Sequence, residues 1–189
     1  MELYFVTHNE AKYREAEQIG QEFKIEIRWL NFEYEEIQED NLESIAATSC
    51  RRLIELKTDL QEKKFFVEDA GLFIESLKGF PGPYSSYVYH TIGNEGILKL
   101  MNNENNRKAK FNSVIALHTK EGINLFKGIT EGIIVEEMRG NQGFGFDPIF
   151  KPHSSEQTFA EMSLKTKNLY SHRQKSLRKL FTSLTAFET

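Results

Sequence analysis

Cysteine, proline and long apolar runs are all scarce in this 189-residue chain. Cys50 is the only cysteine, which excludes an internal disulfide and a zinc site of the usual multi-cysteine kind, and fits a reducing compartment. No stretch approaches the roughly 20 apolar residues of a membrane span. The N-terminal MELYFVTHNE carries Glu2 and only a four-residue apolar run, so no signal peptide is expected either. No Asn-x-Ser/Thr acceptor occurs, in keeping with an intracellular chain. Absent too are GxxxxGK[ST], GxGxxG and HExxH, which removes a Walker-type phosphate loop, a dinucleotide fold and a zincin site from consideration. The expectation is a soluble, cytoplasmic protein with no membrane partner.

Positive charge is in the minority as well. The chain has 24 Lys plus Arg against 28 Asp plus Glu, a net charge of −4, so a broad basic surface for duplex nucleic acid is not supported and no nucleic-acid partner is expected. What is present is an ordinary globular composition, 39% hydrophobic and 12% aromatic. That suffices for one sizeable core in a single domain over 1–189, with two lobes and no linker.

The patterning predicts an α/β fold. LYFVT (3–7) reads as a strand, and THNEAKYREAEQIG as a tight loop followed by a helix up to Gly20. KIEIRWL (24–30) alternates as a second strand, and the segment after Asn41 forms a second helix. KKFFVED is a third strand, expected to end at the acidic pair Glu68 and Asp69. In the middle, Gly79, Pro81, Gly82 and Pro83 force an ordered turn between a short strand and a helix, and GNEGILKLMNN gives another short helix. Three β-rich segments follow from Lys108, separated by residues 120–122 and by Gly128, as an antiparallel meander. A Gly-rich loop then precedes a short strand at Ile149 and Phe150, and residues 170–187 form an amphipathic helix. Tyr84, Tyr87 and Tyr89 read equally as interface or as core.

Four constellations carry chemistry. Thr7, Asn9 and Lys12 stand where a strand feeds a helix, where free amides and the helix dipole favour an anion; the plainer reading is a helix cap and a solvated lysine. Glu33, Glu35, Glu36 and Glu39 cluster after the second strand. They suit Mg²⁺ or form a solvated acidic loop, while Glu68 and Asp69 present charge at a sheet end, where burial calls for a cation. In GNQGFGFDP (140–148), glycines let backbone approach a ligand, Phe144 and Phe146 suit a planar ring, and Asp147 suits ring N–H groups; a structural turn with core phenylalanines fits equally. Lys165, Lys167, Ser171, His172 and Arg173 open the last helix. Ser171 there suits an N-cap, and cations in the first turn point to a negative ligand. His8, His90, His118 and His153 show no metal-ligand spacing.

Read together, FVTHNEAKYREA, NFEYEEIQ, FFVEDAGLFIESLKGFPGPYSSYV, IGNEGILKLM, GFGFDPIFKP and TFAEMSLKTKNLYSHR resemble, in order and over nearly the whole chain, the inosine triphosphate pyrophosphatase family, also called Ham1-like. The resemblance implies an elongated α/β fold with a long twisted mixed sheet flanked by helices, two lobes with a central active-site cleft, and a homodimer. It implies hydrolysis of ITP, dITP, XTP and dXTP to the monophosphate and pyrophosphate with Mg²⁺, or Mn²⁺ in its place, clearing these nucleotides from the pool. Thr7, Asn9 and Lys12 match the phosphate-binding T-G-N-x-x-K. Glu36 matches the metal-binding glutamate, and Asp69, beside Ala70, matches the acid that is both metal ligand and proton acceptor. Phe144, Gly145, Phe146 and Asp147 match the base-binding segment, and Lys167, Ser171, His172 and Arg173 match the K-N-x-x-S-H-R signature that contacts substrate.

Three positions depart from the family pattern: His8 in place of glycine, Ser49 near a common lysine with Arg51 and Arg52 as substitutes, and Ser86 where relatives often carry a basic residue. The mechanism expected is water attack at the α-phosphorus, with metal on Glu36 and Asp69, aided by Glu68, and with Lys12, Lys167 and Arg173 offsetting the leaving-group charge. The alternatives are a pyrophosphatase for modified pyrimidine or other unusual nucleotides, and a nucleotide-binding module without hydrolysis.

Overall fold

A computed structural model describes residues 1–32, Tyr34, Ile37 and residues 39–186. Seven strands form one mixed sheet: β1 (Glu2–Val6), β2 (Glu26–Leu30), β3 (Phe65–Ile74), β4 (Pro81–Gly82), β5 (Lys108–Thr119), β6 (Gly122–Ile134) and β7 (Phe150–Pro152). Their order is β2-β1-β3-β5-β6-β7, with β4 on β3. β1 is parallel to both β2 and β3, whereas β3 with β4 and β6 with β7 are antiparallel. The helices are α1 (Glu10–Glu22), α2 (Leu42–Leu56), α3 (Ser85–Thr91), α4 (Gly93–Leu100), α5 (Leu164–Lys167) and α6 (His172–Thr185). This is the α/β fold that the patterning predicts, with the mixed sheet flanked by helices that the family resemblance implies.

Two compact units divide the chain. The first comprises Met1–Asp69, Ser113–Gly128 and the residues from Arg173 onward; the second comprises Ala70–Asn112 and Ile129–His172. In the first, α1 forms because Asn9 caps it, its side-chain oxygen accepting from the Lys12 amide at 3.1 Å, and because Ala16 and Ile19 fall on one face. That face packs with Leu3, Phe5, Ile27, Phe66, Leu177 and Phe181, and the Phe5 and Phe66 rings stack at 4.3 Å. α2 is capped by Asn41 and buries Leu42, Ile45, Ser49, Cys50 and Leu53, so Ser49 lies on its buried face while Arg51 is exposed.

In the second unit, Leu72, Ile74, Val88, Ile97, Phe111, Phe146, Phe150 and Phe159 make the core. Arg107 ties it together by donating to the carbonyls of Met101, Ile134 and Val135. The Pro-Gly turn closes on β3 through Ser85, whose hydroxyl donates to the Gly82 carbonyl and accepts from the Leu72 amide. Gly71 is required there, since a Cβ would lie 2.3 Å from the Gly82 oxygen. Tyr84 and Tyr87 are exposed rather than in the core, and Tyr89 sets its edge against Phe146.

Three expected boundaries move. β3 does not end at Glu68 and Asp69 but runs on to Ile74, because the Glu68 carboxylate is paired inside the protein and so can sit in mid-strand. β6 passes through Gly128 as one strand, so the meander is a hairpin of two long strands and not three segments. A glycine weakens a strand but removes no ladder hydrogen bond. β7 starts at Phe150, after a 3₁₀ turn at Asp147–Ile149, because Pro148 suits a helical first turn and lacks the amide a ladder needs.

Burial pushes the Cys50 thiol up to about 12, so almost none is thiolate at neutral pH. Ellman's reagent at pH 8 is expected to label the folded protein very slowly and the urea-unfolded protein stoichiometrically within minutes; prompt labelling of the native form would contradict the packing of α2.

Candidate active site

The first-unit constellation is built by a loop, two helices and two strands. Thr7 follows β1, its hydroxyl accepting from the Asn9 amide at 3.1 Å, and Asn9 caps α1. The cap reading of Asn9 is therefore correct. It leaves the first amides of α1 without intrahelical acceptors, which is also what an anion site needs. His8 is not among the non-glycine residues with positive φ, which are Lys24, Lys78 and Asn103 among the described residues. The turn thus has no need of a glycine at position 8.

Lys12, one turn into α1, reaches β3. Its ammonium lies 2.9 Å from a Glu68 carboxylate oxygen and donates to the Glu68 main-chain carbonyl at 3.1 Å. The other Glu68 oxygen accepts from the Ser113 hydroxyl at 2.7 Å and from Arg173 Nε at 3.1 Å. Arg173 also donates from Nη1 to Glu15 of α1, and Ser113 shares a hydrogen bond with Ser176 of α6. Burial alone pulls the guanidinium pKa down, but Glu68 and Glu15 together outweigh it and hold Arg173 above its ordinary range.

Two expectations change here. Glu68 does not suit a metal ion, because its carboxylate is already engaged by an ammonium, a guanidinium and a hydroxyl. Arg173, 2% exposed, finds its negative partners in Glu15 and Glu68, so its place in the first turn of α6 calls for no external anion. Asp69 stands next to Glu68 on β3, is half-buried, and by strand alternation faces the opposite side of the sheet. Glu36 lies outside the described residues, as do Glu33, Glu35 and Gln38. Among the described residues, no three His, Cys, Asp or Glu side chains converge as a metal cluster.

The second-unit constellation centres on Asp147 and Lys167. Asp147 Oδ2 accepts from the Phe144 amide at 2.9 Å and from Lys167 Nζ at 2.6 Å. Lys167, 3% exposed, also lies 4.9 Å from the Phe144 ring centroid, a cation–π distance. Gly143 makes the turn feasible: it has φ of 73°, and a Cβ would fall 2.1 Å from the same Asp147 oxygen. Phe146 is a core residue, so it does not join Phe144 in sandwiching a ring; Phe144 is half-buried. Gly145 is held by Asn94 of α4, which donates to its carbonyl at 3.1 Å. Ser171 is buried in the residue before α6, and the His172 ring stacks on Phe111 at 4.6 Å. Ala70 is half-buried on β3.

Glu15, Ser113, Ser176 and Asn94 were not evident in the sequence as site residues. For Glu15 a signal exists: it falls three residues after Lys12 and four before Ile19, a carboxylate on the apolar face of a helix. Its partner, 158 residues away, is not visible in any local pattern.

Replacing Arg173 by Met leaves Glu15 and Glu68 buried without their shared cation. Urea unfolding at pH 7 is expected to show a loss of about 3–5 kcal/mol. The deficit should shrink towards pH 5, as unpaired buried carboxylates take up protons more readily in the folded than in the unfolded chain. An Arg173→Met protein as stable as wild type at pH 7 would remove the network from this account.

Residues 3–183 match the sequence profile of the Ham1 family. Among similar proteins, a dITP/XTP pyrophosphatase of Pyrococcus horikoshii is 50% identical over 181 residues, covering 96% of this chain and 95% of that protein. One of Methanopyrus kandleri is 48% identical over 180 residues, covering 95% and 94%. The Staphylococcus aureus Ham1 protein superposes with a TM-score of 0.81 at 25% identity, over 98% of this chain and 99% of the other. A profile that spans nearly all of the sequence, joined by relatives half-identical along almost their full length, establishes that this chain belongs to the Ham1 family.

Proposed function

We propose that this chain is a nucleoside triphosphate pyrophosphatase that hydrolyses non-canonical purine nucleotides, ITP, dITP, XTP and dXTP, to the monophosphate and pyrophosphate. The relatives named dITP/XTP pyrophosphatases support the substrate class. The observation that carries the reading in this chain is the Thr7–Asn9 turn opening α1, with Lys12 latched onto the main chain of the strand residue directly before Asp69. It joins an anion-binding helix start to a half-buried carboxylate within one unit.

The phosphates are bound by the amides at the start of α1, by the Thr7 hydroxyl and by Lys12. The charge of Lys12 falls where negative charge gathers on the leaving pyrophosphate. Asp69 takes the proton of the attacking water at the α-phosphorus. As a half-buried hard oxygen donor with its neighbour Glu68 already paired, Asp69 fits a divalent ion that keeps several waters, with Glu36 as the second carboxylate. When bound, Mg²⁺ or Mn²⁺ would acidify that water and neutralise phosphate oxygens.

Hypoxanthine and xanthine present a 6-oxo acceptor and an N1–H donor where adenine presents the reverse. In a site of fixed backbone donors and acceptors around Phe144–Asp147, the wrong edge leaves groups unpaired at about 1–3 kcal/mol each. The proposal includes a homodimer, as the family resemblance implies, and a cytoplasmic location, which the single cysteine supports. No described helix is long and apolar enough to cross a membrane.

The test is pyrophosphate release from ITP, XTP, dITP, ATP and GTP with and without Mg²⁺, run in ¹⁸O-water. Expected are Mg²⁺-dependent release, a preference for ITP and XTP over ATP of at least about tenfold, and label in the monophosphate. Equal rates on ATP, or label in pyrophosphate, would contradict the reading.

A further inference from the structure

The backbone of Thr7 is held from both sides by β2. Its amide donates to the Leu30 carbonyl at 3.2 Å, and its carbonyl accepts from the Trp29 indole N–H at 2.7 Å. Trp29 pairs with Phe5 in the parallel ladder, so its side chain reaches two residues further on, just past the end of β1, to make this bond. The indole is braced in turn: the Tyr13 ring of α1 stacks on it at 5.2 Å with an interplanar angle of 11°, and the Tyr13 hydroxyl donates to Glu17 at 2.7 Å. That bond, with burial, raises the Tyr13 pKa to about 12, so the phenol keeps its proton across the neutral range.

The Thr7–His8 peptide is trans, since the cis bond among the described residues is Phe80–Pro81. In a planar trans peptide the carbonyl and the following N–H point in opposite directions. Fixing the Thr7 carbonyl onto the indole therefore fixes the His8 N–H on the other side of the turn, where no main-chain carbonyl of the described residues accepts it. The next amides, of Glu10 and Ala11, open α1 without intrahelical acceptors.

We infer that Trp29 is a positioning residue for the phosphate turn: its indole N–H, by holding the Thr7 carbonyl, aims the His8 amide, alongside the first amides of α1, at a phosphate group of the nucleotide. The inference rests on the proposed function for the identity of the anion. It also accounts for a non-glycine residue at position 8, since the turn is oriented by a side chain from β2 and not by left-handed backbone.

The test is Trp29→Phe, which keeps an aromatic ring against Tyr13 and deletes the N–H. Expected is a rise of about fivefold in KM for ITP, the factor carried by one net hydrogen bond, with kcat within about twofold and the thermal midpoint nearly unchanged. An unchanged KM in a folded variant would overturn the inference. Should Trp29→Phe not fold, the wild type decides. Trp29 is the only tryptophan, so titration with imidodiphosphate should change its emission saturably, and a flat titration would refute the role. If the wild type hydrolyses none of the purine nucleotides, the proposed function has failed; the emission titration still reports on Trp29 by itself.

Discussion

Glu68 occupies the middle of a strand with its carboxylate out of water, held by the Lys12 ammonium, the Arg173 guanidinium and the Ser113 hydroxyl. Desolvating a carboxylate costs several kcal/mol, and the cost is recovered only if the partners keep good geometry. Three elements are committed by that requirement. α1 must present Lys12 and Glu15 towards β3, α6 must start where Arg173 reaches both carboxylates, and β5 must bring Ser113 alongside. Register errors in any of them would leave a buried charge unpaired, so the network specifies how the first unit is assembled as well as stabilising it.

The same economy separates two adjacent acids. Strand alternation sends Glu68 and Asp69 to opposite faces. The first is neutralised internally and serves as a scaffold; the second is half-buried and is the one proposed as metal ligand and base. Lys12 links the two roles, because the lysine that neutralises Glu68 also belongs to the helix start where phosphate is proposed to bind. The second unit repeats the device in its own terms. Asp147 holds Lys167 and the Phe144 amide together, so the segment 144–147 is a preformed turn closed by a buried ion pair.

Much of this architecture was legible in the sequence, for identifiable reasons. Apolar runs, helix formers and periodicity placed β1, β2 and the four longest helices, and Asn9 was readable as a helix cap. Boundaries failed where a local rule met a distant partner. An acidic pair reads as a strand end until Arg173 and Lys12 are seen to absorb Glu68, and Gly128 reads as a break until β5 is seen beside it. The site was legible as residue types, through the family resemblance, but not as contacts. Nothing near Glu15 in sequence announces Arg173, and nothing near Thr7 announces Trp29. The three cations assigned to substrate charge each prove to have an internal carboxylate partner.

Under the proposed function, neighbouring acids on β3 divide the labour, Glu68 for the fold and Asp69 for the chemistry. The most direct measurement sets Glu68→Gln and Asp69→Asn side by side, reading urea unfolding and ITP turnover on the same preparations. Glu68→Gln is expected to lose about 3 kcal/mol while its folded fraction retains measurable turnover. Asp69→Asn should unfold like wild type and lose turnover by about 10²–10⁴-fold. A stable but inactive Glu68→Gln, or an active Asp69→Asn, would contradict it.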